Sequence, residues 1–482
     1  MEDINTFGLF ATLAITVALS YPLYAIYLHP LRDIPGPKLS AISRIPYWLA
    51  CLRGNQVRYI TSLHRNYGSV VRFGPNDLSY ADGRAWKDIA GVQKGKSENG
   101  KEVKFHAPSA NGTPNLVTEN DQERHAAIRR VFSPAFSEKA LRAQEPMFQK
   151  YADLVVKKGR GAGTINMTEL LNWATFDIMA ELAFGESLGL LERGAYSSWI
   201  AIVFKSVKVL PFIQMIEFYP ALKKIYDLIE PRSIAAMRLD HFNHTVSRVD
   251  KRLKEGSDNP DLWNLVVESN ILTLKEMHTN AELFMLAGTE TTASLLTGLT
   301  YHLIMNPDKR KMLTDEIRKR FNSSRDITFE TLAQLDYLNA CIREGLRVYP
   351  SIPSGIPREI AKGGNRVLGK WIPEGTRVSV HQFATYHSPA NFRDPDSFVP
   401  ERWLGDPEYE GDNRDSHQPF SVGPRNCLGM NLAWHEMRIL LGTLLYNFDL
   451  ESDVGPDWLD QKVYVIWDRK PLLCRLIPAP QT

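Results

Sequence analysis

The sequence predicts one large α+β domain in which helix predominates. Three observations carry that expectation. The chain has 482 residues, 44% of them apolar, enough for an extensive core. From Asp121 to Asn339 the apolar residues recur with helical spacing. Strand-like stretches occur near residues 70–80, over 365–383 and at the C-terminal end, too few for more than a minor sheet. No Gly/Ser tract, long charge run or repeat marks a linker, so residues 41–482 read as a single domain although length alone suggests about three. A formal net charge of +2 argues against a nucleic-acid partner.

The elements follow in order. Phe7–Leu28 carries no charge, and its 22 residues are long enough to cross a bilayer core as a helix; Pro22 is tolerated there. A cleaved signal peptide would have a basic start and a shorter apolar run. Here Glu2 and Asp3 precede the run, and His29 and Arg32 follow it. The basic flank stays cytosolic, so the expectation is a luminal 1–6, a transmembrane anchor over 7–28 and a cytosolic remainder. Residues 29–40 form a proline-rich hinge whose "DIPGPKL" stops the helix. Val70–Phe73 and Leu78–Tyr80 read as strands around a Gly-Pro turn. Asp121–Ser137, Asn172–Gly185 and Thr331–Pro350 read as helices. Thr279–Asp308 is apolar on nearly every face, which predicts a buried central helix broken at Asn306-Pro307. Asn365–Phe383 returns to strand, Asn431–Phe448 is helical and Lys462–Leu476 closes the chain as strands.

Cys51, Cys341, Cys427 and Cys474 lie far apart, with no CxxC and no zinc-like spacing, which suggests a reducing compartment. Three read as buried small hydrophobes. Cys427 differs. In "FSVGPRNCLG", Phe420–Gly429, it follows Gly423 and Pro424 and comes just before a helix. Amides at a helix start and the helix dipole favour a sulfur anion, so a lowered thiol pKa is expected. Gly423 and Gly429 leave room for a flat ligand against the backbone. Arg425 can pair with an acidic group on that ligand, and Phe420 can shield the sulfur. One thiolate facing a planar acidic ligand suggests haem iron with an axial cysteine; the alternative is a buried cysteine in an ordinary turn.

The pattern F-x-x-G-x-R-x-C-x-G resembles the haem loop of the cytochrome P-450 family of haem-thiolate monooxygenases, and the resemblance spans nearly the whole chain. "HPLRDIPGPKLSAISRIPYW" and "PERWLGD" are similar to fungal microsomal members of secondary metabolism. The resemblance implies the cytochrome P-450 fold, haem b (iron protoporphyrin IX) held through Cys427, and an apolar small-molecule substrate such as a polyketide, terpenoid or alkaloid intermediate. It also implies electrons from NADPH through a membrane-bound cytochrome P-450 reductase, an endoplasmic reticulum location, and a monomeric catalytic unit.

Further constellations acquire roles from that resemblance. "AGTETT", Ala287–Thr292, breaks helix rules inside a buried helix. Gly288 costs about 1 kcal/mol against alanine, Glu290 is a carboxylate in apolar surroundings, and the threonines can bond back to carbonyls and bend the helix. A purely structural kink is the alternative. The resemblance implies oxygen activation, with room at Gly288 and protons delivered by Glu290 and Thr291. Glu344 and Arg347 form an i,i+3 pair that alone reads as a solvated helix face; with Arg402 of "PERW" the resemblance implies a buried network bracing the cysteine loop. Trp403 stands where the family usually has phenylalanine. His125 and Arg129 lie one above the other on a helix, either as a surface stripe or as partners of a haem propionate; Arg358 and Arg425 are further propionate partners by resemblance. Histidine replaces the family's commoner tryptophan at 125. For the substrate pocket the candidates are Leu283, Phe284, Ile352 and Gly355, with Ser97–Pro114 as a lid, though each also suits plain packing. Two rival functions remain: a haem-thiolate isomerase or dehydratase without O2, and a haem sensor or electron carrier without turnover. The intact Glu290–Thr291 pair argues against the first, and a large pocket with the proton relay argues against the second.

Overall fold

The computed structural model describes residues 12, 16, 19–92, 97–105, 109–161, 163–196, 198–229, 232–255 and 262–480. Helix takes 58% and strand 10% of it, a helix-rich fold with small sheets as expected. The strands are β1 (Val70–Gly74), β2 (Asp77–Tyr80), β3 (Gly100–Lys101), β4 (Thr164–Asn166), β5 (Arg358–Glu359), β6 (Asn365–Val367), β7 (Lys370–Ile372), β8 (Arg377–Val380), β9 (Phe448–Glu451), β10 (Lys462–Tyr464), β11 (Ile466–Asp468) and β12 (Leu473–Pro478). The largest sheet runs β1-β2-β8-β5-β3, with β2 and β8 parallel (Leu78 opposite Val378) and the other pairs antiparallel. It joins the start of the chain to residues some three hundred positions later, a pairing no local pattern announces.

The helices that position the site are α1 (Gln122–Phe132), α2 (Met167–Phe184), α3 (Leu274–Ala287), α4 (Glu290–Met305), α5 (Asp336–Val348) and α6 (Met430–Asn447). Local chemistry sets their ends. Asp121 caps α1 by accepting the Arg124 amide at 2.6 Å. Asn166 caps α2, and Gly185, at φ 72°, ends it in the left-handed conformation that glycine adopts freely. A Thr273–Glu276 capping box starts α3. The Thr331–Pro350 expectation divides at Leu335. There the Glu316 carboxylate accepts the first amides of α5, Tyr337 and Leu338, at 2.8 and 2.9 Å.

α2 and α4 are buried on nearly every face and lie in the centre of the main core. The expected central helix is two helices, α3 and α4, interrupted at Gly288-Thr289. The Thr289 and Thr291 hydroxyls donate back to the carbonyls of Met285 and Ala287 at 2.6 and 2.7 Å, and Gly288, a poor helix former, stands at the break.

Of the expected anchor Phe7–Leu28, all but Thr12, Thr16 and Leu19 onward lies outside the described residues. Leu19–Leu28 is helical and ends in a π-turn, Tyr24–Leu28. Among the described residues no helix is long and apolar enough to cross a membrane. The turn at Pro35 is pinned rather than free. Its carbonyl accepts the Arg72 amide of β1 at 2.8 Å, and the Arg72 guanidinium reaches the Ala25 carbonyl at 2.9 Å.

The interior holds several neutral imidazoles. Burial pushes His64 and His302 down to about 4 and His381, His387 and His417 to about 3. For a histidine whose folded pKa is depressed, stability is complete above the unfolded value of 6.5 and is lost as pH falls towards the folded value. Each such histidine should therefore remove up to about 1.4 kcal/mol per pH unit between pH 6 and 4. The unfolding midpoint followed against pH should drop steeply over that window; a flat midpoint down to pH 4 would contradict it.

Candidate functional site

Cys427 sits on the loop that enters α6. Its amide donates to the Phe420 carbonyl at 2.9 Å and closes the loop. Its side chain is accessible, whereas Cys51, Cys341 and Cys474 are buried. Arg129 lies close to the sulfur, and the Gly429 amide donates to it. The expected lowering of the thiol pKa is corrected. Burial pushes the thiol up, and the Gly429 amide and Arg129 only partly oppose it. A thiolate here requires a bound cation to invert that balance.

The two glycines separate. Gly429 has only Phe136, at 4.0 Å, near the place of a side chain, so it leaves open space. At Gly423 a Cβ would stand 2.1 Å from the Ala90 carbonyl oxygen, and φ is 79°; the loop's own path, not a ligand, requires glycine there. Phe420 is half-buried, its ring 6.5 Å from that of Trp434.

Cations crowd the neighbouring space. On β3, Lys101 lies directly across the strand pair from Arg358 of β5, and both are buried. Like charges placed so repel. Arg425 and His125 are buried beside them; Arg129 donates to the Asn426 carbonyl and side chain at 2.8 and 2.7 Å. Burial, then Arg425, Lys101, Arg129 and Arg358, hold His125 down at about 4. Burial, then Arg358 and Arg425, push Lys101 well below its ordinary value. Burial and Arg425 lower Arg358 to about 10. Glu98 is the carboxylate among them, 2.7 Å from Arg425 and 3.8 Å from Arg358. That Nη of Arg358 is buried with no hydrogen-bond partner. Such an excess of buried positive charge calls for an anionic ligand. Arg425 is less free for it than expected, since it also donates to the carbonyls of Glu119 and Asn120. Lys101 was not among the sequence candidates; a lone lysine in "ENGKE" carries no signal until β3 pairs with β5.

At the helix interruption, Gly288 yields space to Met179 of α2, whose sulfur would lie 2.4 Å from an added Cβ. The expected room for a small ligand at Gly288 is corrected accordingly; next to it Leu286 and Ala287 are accessible and Thr291 is half-buried. Glu290 is buried and paired with Arg469 at 2.6 Å. Burial raises its carboxyl, and Arg469 opposes without cancelling. Thr291 and Glu290 thus have separate partners. Beside them Thr292 meets Glu436 of α6, which joins the interruption to the helix that follows Cys427.

Glu344, Arg347 and Arg402 form a network with no exposed side-chain surface. Glu344 takes Arg347 at 2.7 and 2.9 Å, Arg402 at 3.1 Å, the Val399 amide at 2.8 Å and the Trp403 indole at 2.9 Å. Arg347 donates on to the carbonyls of Tyr386, Pro395 and Ser397, and Arg402 to Asp412. Burial works to raise Glu344, but Arg347 and then Arg402 outweigh it and hold the carboxyl below its usual value. The solvated-face reading is excluded. The tryptophan at 403 adds a donor that phenylalanine lacks.

The pocket candidates divide too. Leu283 is half-buried, one turn from accessible Leu286 and Ala287. Phe284 turns into the core against Phe132 and Phe136, at ring distances of 4.7 and 5.7 Å, and leaves the set of pocket residues. Ile352 is half-buried next to Ser351, whose hydroxyl donates to the Thr291 carbonyl at 2.6 Å. Gly355 is buried against the Val380 carbonyl and borders a cavity of about 10 Å³, room for one water, so it serves strand packing. Ile356, which sequence reasoning passed over, is accessible. The expected lid is partly stitched down, by Ser109 to Glu282, Asn111 to the Lys275 carbonyl and the Thr279 hydroxyl to the Thr113 carbonyl; its residues 106–108 lie outside the described residues. A wider groove of about 530 Å³, lined by Pro46, Leu49, Arg53, Arg58 and Tyr59 among others, belongs to the surface of the first helices; none of its lining residues belongs to the cysteine loop.

Comparison with known proteins agrees with this arrangement. The family model for Cytochrome P450 matches residues 35–474. The chain is 43% identical over 494 residues to cytochrome P450 monooxygenase efuB of Hormonema carpetanum, covering 98% of each chain. It is 43% identical over 470 residues to cytochrome P450 monooxygenase FUM2 of Gibberella moniliformis, 95% of this chain and all of the other. It is 41% identical over 472 residues to averantin hydroxylase of Dothistroma septosporum, covering 95% and 89%. Members of this family bind haem, draw electrons from a redox partner and act on small molecules. The residues present fit haem, because the accessible sulfur suits its iron and the surplus cations its two carboxylates. Matched over its whole globular length, and carrying that thiol and those cations where an anionic iron ligand needs them, the chain belongs to the cytochrome P450 family of monooxygenases.

Proposed function

We propose that this enzyme oxidises an apolar small molecule, a step of fungal secondary metabolism, with O2 and with electrons from NADPH passed by a membrane-bound flavoprotein reductase. Cys427 is the iron ligand. Lys101, His125, Arg129 and Arg358 hold the propionates, with Arg425 tying the cysteine loop to residues 98–120. When bound, the haem would supply the oxygen-activating redox chemistry, with the Cys427 thiolate as its electron-donating ligand. The protein orients the substrate along Leu283, Leu286, Ala287, Ile352 and Ile356, keeps water from the cleft, and moves protons at the Glu290 carboxyl and the Thr291 hydroxyl. The single observation that carries this reading is that one thiol alone of four is accessible, and that it lies beside Arg129 and a buried surplus of cations. Glu344, Arg347 and Arg402 brace the segment before that thiol.

The anchor over 7–28 and a place on the endoplasmic reticulum membrane belong to the same proposal. Exposed Leu39, Ile45 and Leu49 and exposed Leu222, Ile225 and Leu228 support it. Trp48 packs on Phe218 at 5.3 Å, so the segments carrying them are neighbours, and grouped exposed apolar residues suit a lipid surface.

The test is turnover. The full-length holoenzyme, reconstituted with an NADPH-dependent reductase, is titrated spectrally against apolar metabolites, and those that shift the spectrum are incubated with NADPH and labelled O2. A product carrying one labelled oxygen atom is expected. A product formed without O2 and NADPH would replace this reading with the isomerase or dehydratase.

A further inference from the structure

Four oxidisable rings stand in line in the core, each from a different segment. Trp467 of β11 stacks on Tyr349, the residue that ends α5, with ring centroids 4.5 Å apart and planes at 15°. Tyr349 meets Trp458, on the connection between β9 and β10, at 5.9 Å. Trp458 stacks on Tyr301 of α4 at 4.7 Å and 17°. All four are buried. Phenylalanine would fill such places with no polar hydrogen to satisfy, whereas buried indoles and phenols need acceptors. Three of these rings have one: Trp467 donates to the Pro350 carbonyl at 2.8 Å, Tyr349 to Gln461 at 2.8 Å and Trp458 to the Pro471 carbonyl at 3.1 Å. Gly298 of α4 makes room for the Tyr349 ring, since a Cβ there would stand 2.2 Å from it. Indole and phenol rings give up an electron far more readily than a benzene ring, and rings in contact pass one to the next.

The two ends of the line differ. At the cleft end, Trp467 is held by Pro350, next to Ser351, whose hydroxyl donates to the Thr291 carbonyl at 2.6 Å. At the other end, burial and then the exposed Asp457 carboxylate raise the Tyr301 hydroxyl, so an acceptor for its proton is at hand. Gln461, the partner of Tyr349, is an amide and takes up no proton. Tyr301 is therefore the ring of the two tyrosines that can lose an electron and a proton together.

We propose that Trp467, Tyr349, Trp458 and Tyr301 form an electron path that removes oxidising equivalents from the haem site when no substrate is there to take them, with Tyr301 as the terminal donor. This rests on the haem reading given above. The oxidant is hydrogen peroxide acting on the ferric haem, and the reductant is a thiol in the surrounding water. In each passage Tyr301 gives one electron through the other three rings and its hydroxyl proton to Asp457, which releases it to water. A thiol then returns a hydrogen atom to Tyr301. Two passages consume one peroxide and two thiols and yield two waters and one disulfide.

The test uses the full-length ferric holoenzyme without substrate. It is mixed with hydrogen peroxide, frozen within milliseconds and read by electron paramagnetic resonance, with ring-deuterated tyrosine to identify a tyrosyl signal. Haem bleaching and glutathione oxidation are followed alongside. The parent should show a tyrosyl radical that glutathione removes with formation of its disulfide. Tyr301→Phe, which loses one hydroxyl and keeps the ring, should lose that signal and bleach faster. Trp458→Phe should do the same although Tyr301 is in place. Tyr386→Phe, off the path, should keep the signal. With substrate and reductase present, Tyr301→Phe should form product as the parent does.

A tyrosyl signal that survives Tyr301→Phe, or a haem-loaded parent that forms no protein radical, overturns the proposal. If Trp458→Phe does not fold, Tyr301→Phe decides alone. A parent without the thiolate-type carbonyl band removes the haem reading, and this inference with it; a parent with that band and labelled product, but with no radical that depends on Tyr301, removes this inference alone.

Discussion

Cys427→Ala should yield protein whose ferrous carbonyl complex lacks the thiolate-type absorption band and which forms no product with NADPH and O2. The effect is expected to be complete because no second sulfur can substitute. Cys51 and Cys474 are buried, with thiols that burial raises to about 12, and Cys341 is wholly buried with its thiol also raised. Their alanine variants should keep the spectrum and lose only packing energy. A thiol reagent applied to the haem-free protein should label Cys427 first, since it alone is accessible. Cys427→Ser keeps a polar group but not a soft thiolate, and should behave as the alanine variant does. An active Cys427→Ala protein with an unchanged carbonyl band would remove the basis of the functional reading.

Glu344→Ala should be the most destabilising single change outside the cysteine loop. It strips the counter-charge from two arginines with no exposed side-chain surface and leaves the Val399 amide and Trp403 indole without their acceptor. Breaking a buried pair from one side costs about 3–5 kcal/mol, enough to use up much of the stability of an ordinary domain. The expected outcome is insoluble or haem-free protein. Trp403→Phe removes one hydrogen bond and keeps the ring, so about 1–2 kcal/mol is expected. Denaturant midpoints and haem content measured together on the two variants check the ranking. A soluble, haem-loaded Glu344→Ala protein with a midpoint close to the parent's would show that the network does not brace the fold.

Legibility in the sequence followed the range of the interactions. Helix ends were readable because their causes are local: Asp121 caps its own helix, and Gly185 ends one by turning left-handed. The cysteine loop was readable because its residues are contiguous. The central helix misled over its continuity. Its apolar character extends across Gly288-Thr289, while Gly288 breaks it where its missing side chain faces Met179 of another helix. Gly288 and Gly423 were rightly singled out and wrongly explained, because what occupies a missing side chain's place is Met179 from another helix in one case and the Ala90 carbonyl in the other. Phe284 was misplaced because a helix pattern shows which residues share a face but not which neighbour that face meets. Lys101 and Arg469 were invisible, since their partners lie far along the chain, 179 residues away in the case of Arg469.

By itself the sequence determined the helix-rich class, the run of elements and the single cysteine set apart from the rest, all of which rest on periodicity, turn residues and short-range spacing. Tertiary structure alone decided which charges are buried together, that the thiol is raised rather than lowered, and that Glu290 answers to Arg469. Charge and burial act through space, and the residues that matter to them are brought together only when the chain folds.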